Sequence, residues 1–500
     1  MLRLVTAIAL IAATCSGPAP SWAADQTLKV AVVAFPPGGP DPRKSVSVFA
    51  TYTWSPMFEA LTTFAEDGTL VPELAESWQQ LSPTSWSFTL RRGVKFSNGR
   101  PLTAADVAAN ILGLKQAENA VLPAARQIET IVSARAADER TLIVETAEPN
   151  AIVPRELSAI YILEPEHLRA VGIAGFVKNP IGTGPFVLKD WGAATVDYAP
   201  NPLSWRPPKI RALEIRELPE ITGRLQALLT GKADIAIGMG PDEQPAIAAA
   251  GGRLHRRQPI DVISISFVVG QGKPIDDVRV RRALNYAVDK DSIANVLLQG
   301  ATRPATQGAV QGLLGYDPDL KPYPYDPAKA RALLKEAGFA NGFTLDAEVI
   351  VSSNAGDGLI YQFVAENLAA VGVKLNLITI PTQQMMRVVN LGEWKGDGFS
   401  QVFGAWPTFE PLRTIRLHSC LWPKPWYCDQ AIMPTMIAAR TAPDLETRAT
   451  LTREVLRFYH DQATSLLLHE IPVLDGVMPR VKNYAPQKGK INYETIELID

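Results

Sequence analysis

The sequence contains few of the residues that most often bind metals or carry out catalysis. Three cysteines and five histidines occur among 500 residues, and the histidines are scattered at positions 167, 255, 418, 460 and 469. The G-x-S-x-G, H-E-x-x-H and Walker A patterns, which mark a nucleophile, a zinc site and a phosphate loop, are absent. The sequence therefore gives no case for an enzyme, and we expect no cofactor.

An excess of charge of one sign is also missing. The 49 lysines and arginines nearly balance the 51 aspartates and glutamates, for a formal net charge of -2. Proteins that bind nucleic acid usually present a strongly basic face. We therefore expect no nucleic-acid partner.

Apolar runs of membrane-spanning length are missing as well, and one shorter run lies near the N-terminus. Arg3 precedes an apolar stretch over residues 4–13, and Ser21-Trp22-Ala23 follows as a small-x-small cleavage site. This pattern predicts a signal peptide over residues 1–23, and its apolar part is too short to cross a bilayer as a helix. Residues 12–14, before Cys15, lack the leucine and the small residue usual for lipid attachment. We therefore expect a soluble exported protein and not a lipoprotein.

Two cysteines remain beyond the predicted signal peptide. Cys420 and Cys428 lie in the sequence HSCLWPKPWYCD, and an oxidising compartment permits a disulfide between them. A loop this small would gain about 2–3 kcal/mol of stability in the chain-entropy model. The alternative is a metal pair with His418, although zinc sites usually show tighter cysteine spacing and a second ligand pair.

The length and the order of predicted elements indicate two α/β lobes. Five hundred residues exceed what one compact core usually holds. Residues 211–217, 222–229 and 233–237 read as strand, helix and strand, and residues 343–351, 359–371 and 373–380 repeat that order. We expect one lobe over residues 24–269 and 473–500, and a second over residues 270–472.

Residues 71–107 form the most informative segment, with the sequence VPELAESWQQLSPTSWSFTLRRGVKFSNGRPLTAADV. Trp86, Phe88 and Leu90 alternate with polar residues, the period of a half-buried strand. Thr103 and Asp106 have the spacing of a capping box that begins a helix. The segment predicts a strand pair that runs into a helix.

Seven segments resemble the extracytoplasmic solute-binding proteins of family 5, the peptide, nickel and oligosaccharide-binding proteins of ABC importers. Besides residues 71–107, they include an early helix, two turns, a helix-to-strand passage and two helix starts in the expected order. They read PMFEAL (56–61), NPIGTGPF (179–186), NPLSW (201–205), ALLTGKADI (227–235), PIDDVRVRRALNYAVDK (274–290), and YDPAKA with LLKEAGF (325–339).

This resemblance implies a two-lobed periplasmic binding protein of type II, a three-subdomain clamp with a hinge between its lobes. The chain would cross between the lobes near residues 268–270 and 471–475. A monomer in the periplasm would enclose a small-molecule solute in the cleft and deliver it to an ABC permease, whose ATPase is a separate chain. An exported hydrolase is the alternative from a different class.

The resemblance also implies where a solute would bind. Peptide-binding members hold the ligand ammonium with an aspartate in a G-W-x-x-D-Y segment, and the corresponding residues 404–411 read GAWPTFEP. Trp406 and the acidic-proline end at Glu410 match, whereas the aspartate has no counterpart. The arginine with which dipeptide binders grip the ligand carboxylate is also missing near Val351. Burying an unpaired zwitterion costs several kcal/mol per ion, so we expect a peptide-like or conjugated organic solute, with an oligosaccharide or a nickel chelate as alternatives.

Further candidates surround this segment. Phe409 belongs to an aromatic-rich region at residues 394–427, where core packing is the competing interpretation for most of the rings. Arg413 could pair with an acidic group by bidentate hydrogen bonds, and His418 is a weak candidate for a nickel-chelate ligand. The loop with Phe35 and Gly38 faces the cleft in the family, so we expect it to contribute backbone donors.

Overall fold

The structure is a computed structural model that describes residues 26–351 and 356–499. The predicted signal peptide, residues 1–23, and Cys15 lie outside these residues. Within the two ranges, no helix combines the length and the apolar character that a membrane crossing requires.

The strands of the described residues are numbered in chain order. They are β1 (Thr27–Val32), β2 (Thr62–Phe64), β3 (Leu70–Pro72), β4 (Ala75–Ser82), β5 (Ser85–Leu90), β6 (Ile131–Ala136), β7 (Thr141–Thr146), β8 (Phe186–Trp191), β9 (Thr195–Pro200), β10 (Ala212–Glu217), β11 (Ile235–Ile237), β12 (Arg253–Arg257), β13 (Asp261–Phe267), β14 (Phe343–Val349), β15 (Val373–Thr379), β16 (Gly398–Gly404), β17 (Ser465–Glu470), β18 (Val473–Val477), β19 (Val481–Lys482) and β20 (Glu497–Leu498).

The α-helices are numbered in the same way. They are α1 (Val48–Trp54), α2 (Ala104–Leu114), α3 (Val153–Glu156), α4 (Pro165–Phe176), α5 (Ile221–Leu229), α6 (Gln244–Ala249), α7 (Val278–Ala287), α8 (Lys290–Ser292), α9 (Pro327–Glu336), α10 (Asp357–Ala369), α11 (Thr382–Leu391), α12 (Leu412–Ile415), α13 (Met433–Arg440) and α14 (Leu445–Asp461).

Lobe I is built on a seven-stranded sheet with the order β12-β18-β11-β1-β10-β9-β8. Its central strand β1 is parallel to both β10 and β11, and α5 connects those two neighbours. This arrangement confirms the βαβ unit predicted over residues 211–237. Because the three strands are parallel, their carboxyl ends meet at one edge of the sheet.

An antiparallel four-stranded sheet, β4-β5-β7-β6, forms the additional subdomain of lobe I. Trp86, Phe88 and Leu90 of β5 are buried in its core with α2, as their alternation predicts. The capping box is also present, since the Thr103 hydroxyl accepts from the Asp106 N–H and the Asp106 carboxylate accepts from the Thr103 N–H. Local sequence signals thus specify this subdomain.

Lobe II is built on a five-stranded mixed sheet with the order β15-β14-β16-β13-β17. Its helices α7 and α9 begin at the two helix starts noted within residues 274–290 and 325–339, where Asp277 accepts from the Arg279 N–H and Asp326 from the Lys329 N–H. Helices α7 and α10 pack against one face of the sheet and contribute to one hydrophobic core.

One strand belongs to a different sheet than expected. Strand β13 pairs with β16 on one side and β17 on the other, whereas the sequence analysis counted residues up to 269 with lobe I. The first crossing between the sheets therefore falls between Arg257 and Asp261, and the second between Glu470 and Val473. An apolar run identifies a buried strand but does not specify which sheet it joins. The remaining lobe boundaries stay a prediction.

The early helix expected at residues 56–61 lies earlier in the chain. The helix is α1, which begins after Ser47, whose hydroxyl caps the Phe49 N–H, and which ends at Trp54. Pro56 and Met57 instead offer their carbonyls to the N–H groups of Phe186 and Gly184. The N–H groups of Met57 and Phe58 still donate to the Trp54 carbonyl, so one further turn follows α1 before the turn that precedes β8 holds the segment.

Candidate functional site

A cavity of about 520 Å³ lies between the two lobes. Lobe I contributes the residues after β1 and β11, the first turn of α5 and one side of α1. Both crossing segments and the start of α10 in lobe II complete the wall. Representative residues of these parts are Val33, Gly238, Ile221, Tyr52, Ile471 and Leu359.

The topology explains the position of the cavity. Ligands of open α/β sheets bind in the crevice outside the carboxyl ends of parallel strands, where connections lead off in different directions. Here β1, β10 and β11 end at this crevice, and β11 and β10 lie on opposite sides of β1. A cavity that also touches both crossings changes shape when the lobes move relative to one another.

Arg257 is a buried cation of the cavity wall with partners of its own. Its Nη1 lies 3.1 Å from the Tyr52 hydroxyl and 3.6 Å from an Asp475 carboxylate oxygen. Burial alone would lower the pKa of Arg257, but Tyr52, Asp475 and Tyr484 more than offset this effect and raise the pKa. Arg257 is therefore a structural charge whose counter-ion is already present.

Arg224 is the second buried arginine of the wall, and it differs in its partners. Its guanidinium donates to the carbonyls of Leu218, Pro219 and Gly238 at 2.6–2.8 Å. Burial lowers the pKa of Arg224, and Glu220 and Glu243 only partly offset this effect. Carbonyl oxygens solvate the cation but carry no full negative charge.

Asp261 begins β13 at the first crossing and also lines the cavity. Its Oδ1 is buried and has no hydrogen-bond partner among the described residues. Burial raises the pKa of Asp261 to about 6, while the Ala405 N–H, Arg413 and Lys488 act in the opposite direction. The carboxylate is thus poorly satisfied by the protein at neutral pH.

Two residues expected to contact a solute are already engaged within the protein. Phe409 is fully buried, with its ring centroid 4.4 Å from that of Phe64 in lobe I. The Glu410 carboxylate lies 2.7 Å from Nε of Arg448, and both side chains are buried. Neither residue lines the cavity.

Trp406, the matched family position, lies beside the cavity. Its ring packs so closely on Gly489 that a Cβ there would come within 2.3 Å of a ring carbon, and Gly489 lines the cavity. The indole N–H is buried without a hydrogen-bond partner among the described residues. Trp406 is therefore placed one layer behind the cavity wall.

The remaining candidates lie outside the wall. The ring centroids of Phe35 and Trp191 lie 6.0 Å apart. A Cβ atom added to Gly38 would come within 2.6 Å of the Lys44 Cβ. The Arg413 side chain is exposed to solvent. The surrounding protein and the positive charge of Arg416 lower the pKa of Arg413, whereas the negative charge of Asp261 raises it.

His418 lies in an aromatic core. Its Nδ1 accepts from the Trp426 indole N–H at 3.0 Å, and its ring stacks on Phe403 at 4.7 Å. Burial lowers the pKa of His418 to about 3. No group of three histidine, cysteine or acidic residues with the geometry of a metal site occurs among the described residues, so the structure does not support His418 as a metal ligand.

The predicted disulfide between Cys420 and Cys428 is present, with a Cα–Cα distance of 4.7 Å. The neighbouring aromatic side chains pack mainly in the core of lobe II, as the competing interpretation held. The core contains Phe399, Phe403, Phe409, Trp426 and Tyr427, with Trp394, Trp406 and Trp422 packed against it.

The charged residues of the wall were not predicted from the sequence. Arg224 occupies the first turn of a helix that follows a predicted strand, a position where ligand groups are common in α/β folds, and this signal could have identified it. Asp261 and Arg257 offered no such signal, because their roles depend on where the chain crosses between the sheets.

Solved structures with the same fold are bacterial solute-binding proteins. NikA from Brucella suis, solved in complex with Fe(III)-EDTA, superposes with a TM-score of 0.80 at 22% identity, covering 95% of this chain and 100% of that chain. This likeness confirms the two-lobed fold.

Curated relatives of similar length support the same class. The di/tripeptide-binding protein 2 of Pseudomonas aeruginosa is 28% identical over 498 residues, which cover 92% of each chain. The nickel-binding periplasmic protein of Escherichia coli is 27% identical and covers 89% of this chain and 90% of its own.

Residues 69–412 match the family described as bacterial extracellular solute-binding proteins, family 5 Middle. The chain belongs to this family. The resemblance noted in the sequence is thereby confirmed, and the relatives named above are binding proteins and not enzymes.

Proposed function

We propose that the protein captures a peptide-like or conjugated organic solute in the cavity between its lobes and delivers it to an ABC permease. It works in the periplasm as a monomer, after export by the predicted signal peptide, and the ATPase of the importer is a separate chain. The names of relatives, which include di/tripeptide-binding and glutathione-binding proteins, support this solute class.

The observation that carries the proposal is the cavity itself. Its volume of about 520 Å³ falls within the range of small-molecule sites, roughly 300–1,000 Å³. Both lobes and both crossings supply its wall, so that an enclosed solute would link lobe closure to binding. The wall is mostly apolar with a few charged groups, a combination that suits a solute with both kinds of surface.

The usual anchors of a dipeptide do not operate at their family positions. Phe409, three residues after Trp406, takes the place of the aspartate and is buried against Phe64. The carboxylate of the next residue, Glu410, is paired with Arg448 and is therefore not available to a solute. The solute is therefore held by other groups than those of the dipeptide-binding members.

The alternatives receive less support from the cavity wall. The tryptophans that could stack on a sugar pack in lobe II, and Phe49 and Tyr52 are the aromatic residues that line the cavity. The enclosure of His418 weighs against its role toward a nickel chelate. The lining contains no serine, threonine, cysteine, histidine or lysine among the described residues, which does not favour a hydrolase.

The proposal is tested by mass spectrometry of the small molecule that co-purifies with the protein. Leu359 lines the cavity and is exposed, so Leu359→Arg should block the site and abolish co-purification. Leu391, a leucine of lobe II with similar exposure that does not line the cavity, provides the matched control Leu391→Arg, which should retain the molecule. Tight calorimetric binding of unmodified dipeptides, or a co-purifying sugar or nickel complex, would contradict the proposed solute class.

A further inference from the structure

We propose that Arg224 and the first turn of α5 form a subsite that binds a carboxylate group of the solute. The inference deepens the proposed function and rests on it, because it takes the cavity between the lobes as the solute site. Neither the family match nor the sequence motifs point to this position.

The buried charge of Arg224 is not paired with a carboxylate in a hydrogen bond. Its side chain is 4% exposed, it lines the cavity, and its Nε has no hydrogen-bond partner among the described residues. Its partners are three backbone carbonyls. A buried charge is stabilised fully only when an opposite charge accompanies it, and a solute carboxylate would supply that charge.

Arg224 also lies at a position in the fold where ligands commonly bind. The carbonyls of Leu218 and Pro219 follow β10, and that of Gly238 follows β11, so the three hold the guanidinium at the carboxyl ends of two parallel strands. This is the edge of the sheet at which α/β folds bind ligands. The guanidinium is thus fixed in direction before a solute arrives, which reduces the entropy lost on binding.

The start of helix α5 supplies further hydrogen-bond donors. Helix α5 has nine residues, and its N-cap residue Glu220 makes no side-chain hydrogen bond to the first turn. The N–H groups of a helix start have no intrahelical partners and carry a partial positive charge. Glu220 and Ile221 line the same wall as Arg224, so the helix start and the guanidinium border the same cavity.

Three other charges lie near the subsite, and one of them, Glu243, already accepts a hydrogen bond from the Gly240 N–H. Glu220 carries the same sign as the expected ligand group, but it is exposed to solvent, where water screens its repulsion. Arg257 is the other arginine of the wall, and it already interacts with Asp475 and Tyr52. Arg224 is therefore the buried arginine of this wall that lacks a carboxylate.

Arg281 provides a matched comparison elsewhere in the molecule. It is also buried and donates to three carbonyls, those of Ile275, Asp276 and Gln462. The Nε of Arg281 donates a hydrogen bond, and Arg281 does not line the cavity. An arginine held by carbonyls can thus have a structural role in this fold. Arg224 differs from Arg281 in its unbonded Nε and in its place in the cavity wall. These are the two features that a ligand subsite requires.

The test measures affinity by calorimetry for two matched pairs of probes: tri-alanine against tri-alanine amide, and glutathione against its diethyl ester. In the wild type, the acid should bind roughly tenfold or more tightly than the blocked form, as expected for charged hydrogen bonds. In Arg224→Gln this ratio should fall to about one, and in Arg281→Lys it should remain. Circular dichroism and thermal melting establish that each variant is folded.

The outcomes separate the subsite from the proposed function. Binding of the probes with equal affinity for acid and blocked forms, or an unchanged ratio in folded Arg224→Gln, would overturn the subsite and leave the peptide-like solute standing. Failure of all probes to bind would contradict the peptide-like solute. In that case, the melting temperature in the presence of succinate tests the subsite. A rise for the wild type that disappears in Arg224→Gln but persists in Arg281→Lys supports the subsite. No rise for the wild type overturns the subsite.

Discussion

At the scale of single residues, burial decides which charged groups remain available. Glu410 was expected at the solute because its segment resembles a family motif, but Arg448, 38 residues further along the chain, neutralises it. Nearby, Arg155 of lobe I donates to the Thr408 carbonyl. Such partners come from distant parts of the chain, so the sequence identified the family of this segment but not the availability of its side chains.

The buried His418 should make stability depend on pH. Because burial lowers its folded pKa to about 3, the unfolded chain takes up the proton first as the pH falls below about 6.5. The free energy of unfolding should therefore fall by up to about 1.4 kcal/mol per pH unit from this residue between pH 6.5 and 3. Urea denaturation of the wild type and His418→Phe at several pH values between 4 and 7.5 measures the difference.

Other buried groups also make stability depend on pH, so the effect of His418 is isolated only by comparing the wild type with His418→Phe. His469, with a pKa lowered to about 4 by burial, adds to the loss of stability at acid pH. Glu156 and Asp261 have pKa values raised by burial to about 7 and about 6, so they bind protons in the folded state and act with the opposite sign. Equal pH slopes for the wild type and His418→Phe would contradict the assignment to His418.

At the scale of elements, local signals and long-range pairing were predictable to different degrees. The caps at Thr103, Asp277 and Asp326 lie within a few residues of the groups that they bond, and all three helices begin where the sequence predicts. Strand β13 was assigned to the wrong sheet, since its partners β16 and β17 lie more than 130 residues away. The cavity wall depends on such crossings, which explains why its charged residues were missed.

The loop closed by Cys420 and Cys428 should contribute to stability without contributing to binding. Its two cysteines are 8 positions apart, and a loop of this length corresponds to about 2–3 kcal/mol in the chain-entropy model. Replacing both residues by serine should lower the free energy of unfolding in urea by this amount. Solute affinity should stay unchanged because neither residue lines the cavity. An unaltered urea midpoint, or a loss of affinity in the folded double variant, would be inconsistent with this role.

At the scale of the whole molecule, the hairpin of β2 and β3 joins lobe I to lobe II. Phe64 of the hairpin packs on Phe409, and its turn residue Gly68 lies against Gly312 in the loop that precedes α9. A Cβ on Gly312 would come within 2.3 Å of the Asp67 carbonyl oxygen. The two lobes therefore touch backbone to backbone at this point, away from the two crossings.

This contact predicts that a methyl group at residue 312 opens the clamp. Gly312→Ala should force the hairpin and the loop apart, increase the radius of gyration in small-angle X-ray scattering, and weaken binding of the co-purified solute. Gly338→Ala is the matched control, because Gly338 has a similar φ of +92° but nothing within 4 Å of its Cβ position. It bears the same backbone cost of about 1–2 kcal/mol for a left-handed residue without the clash. If both variants scatter and bind alike, the hairpin contact does not set the closed arrangement of the lobes, and closure depends on the crossings and the solute alone.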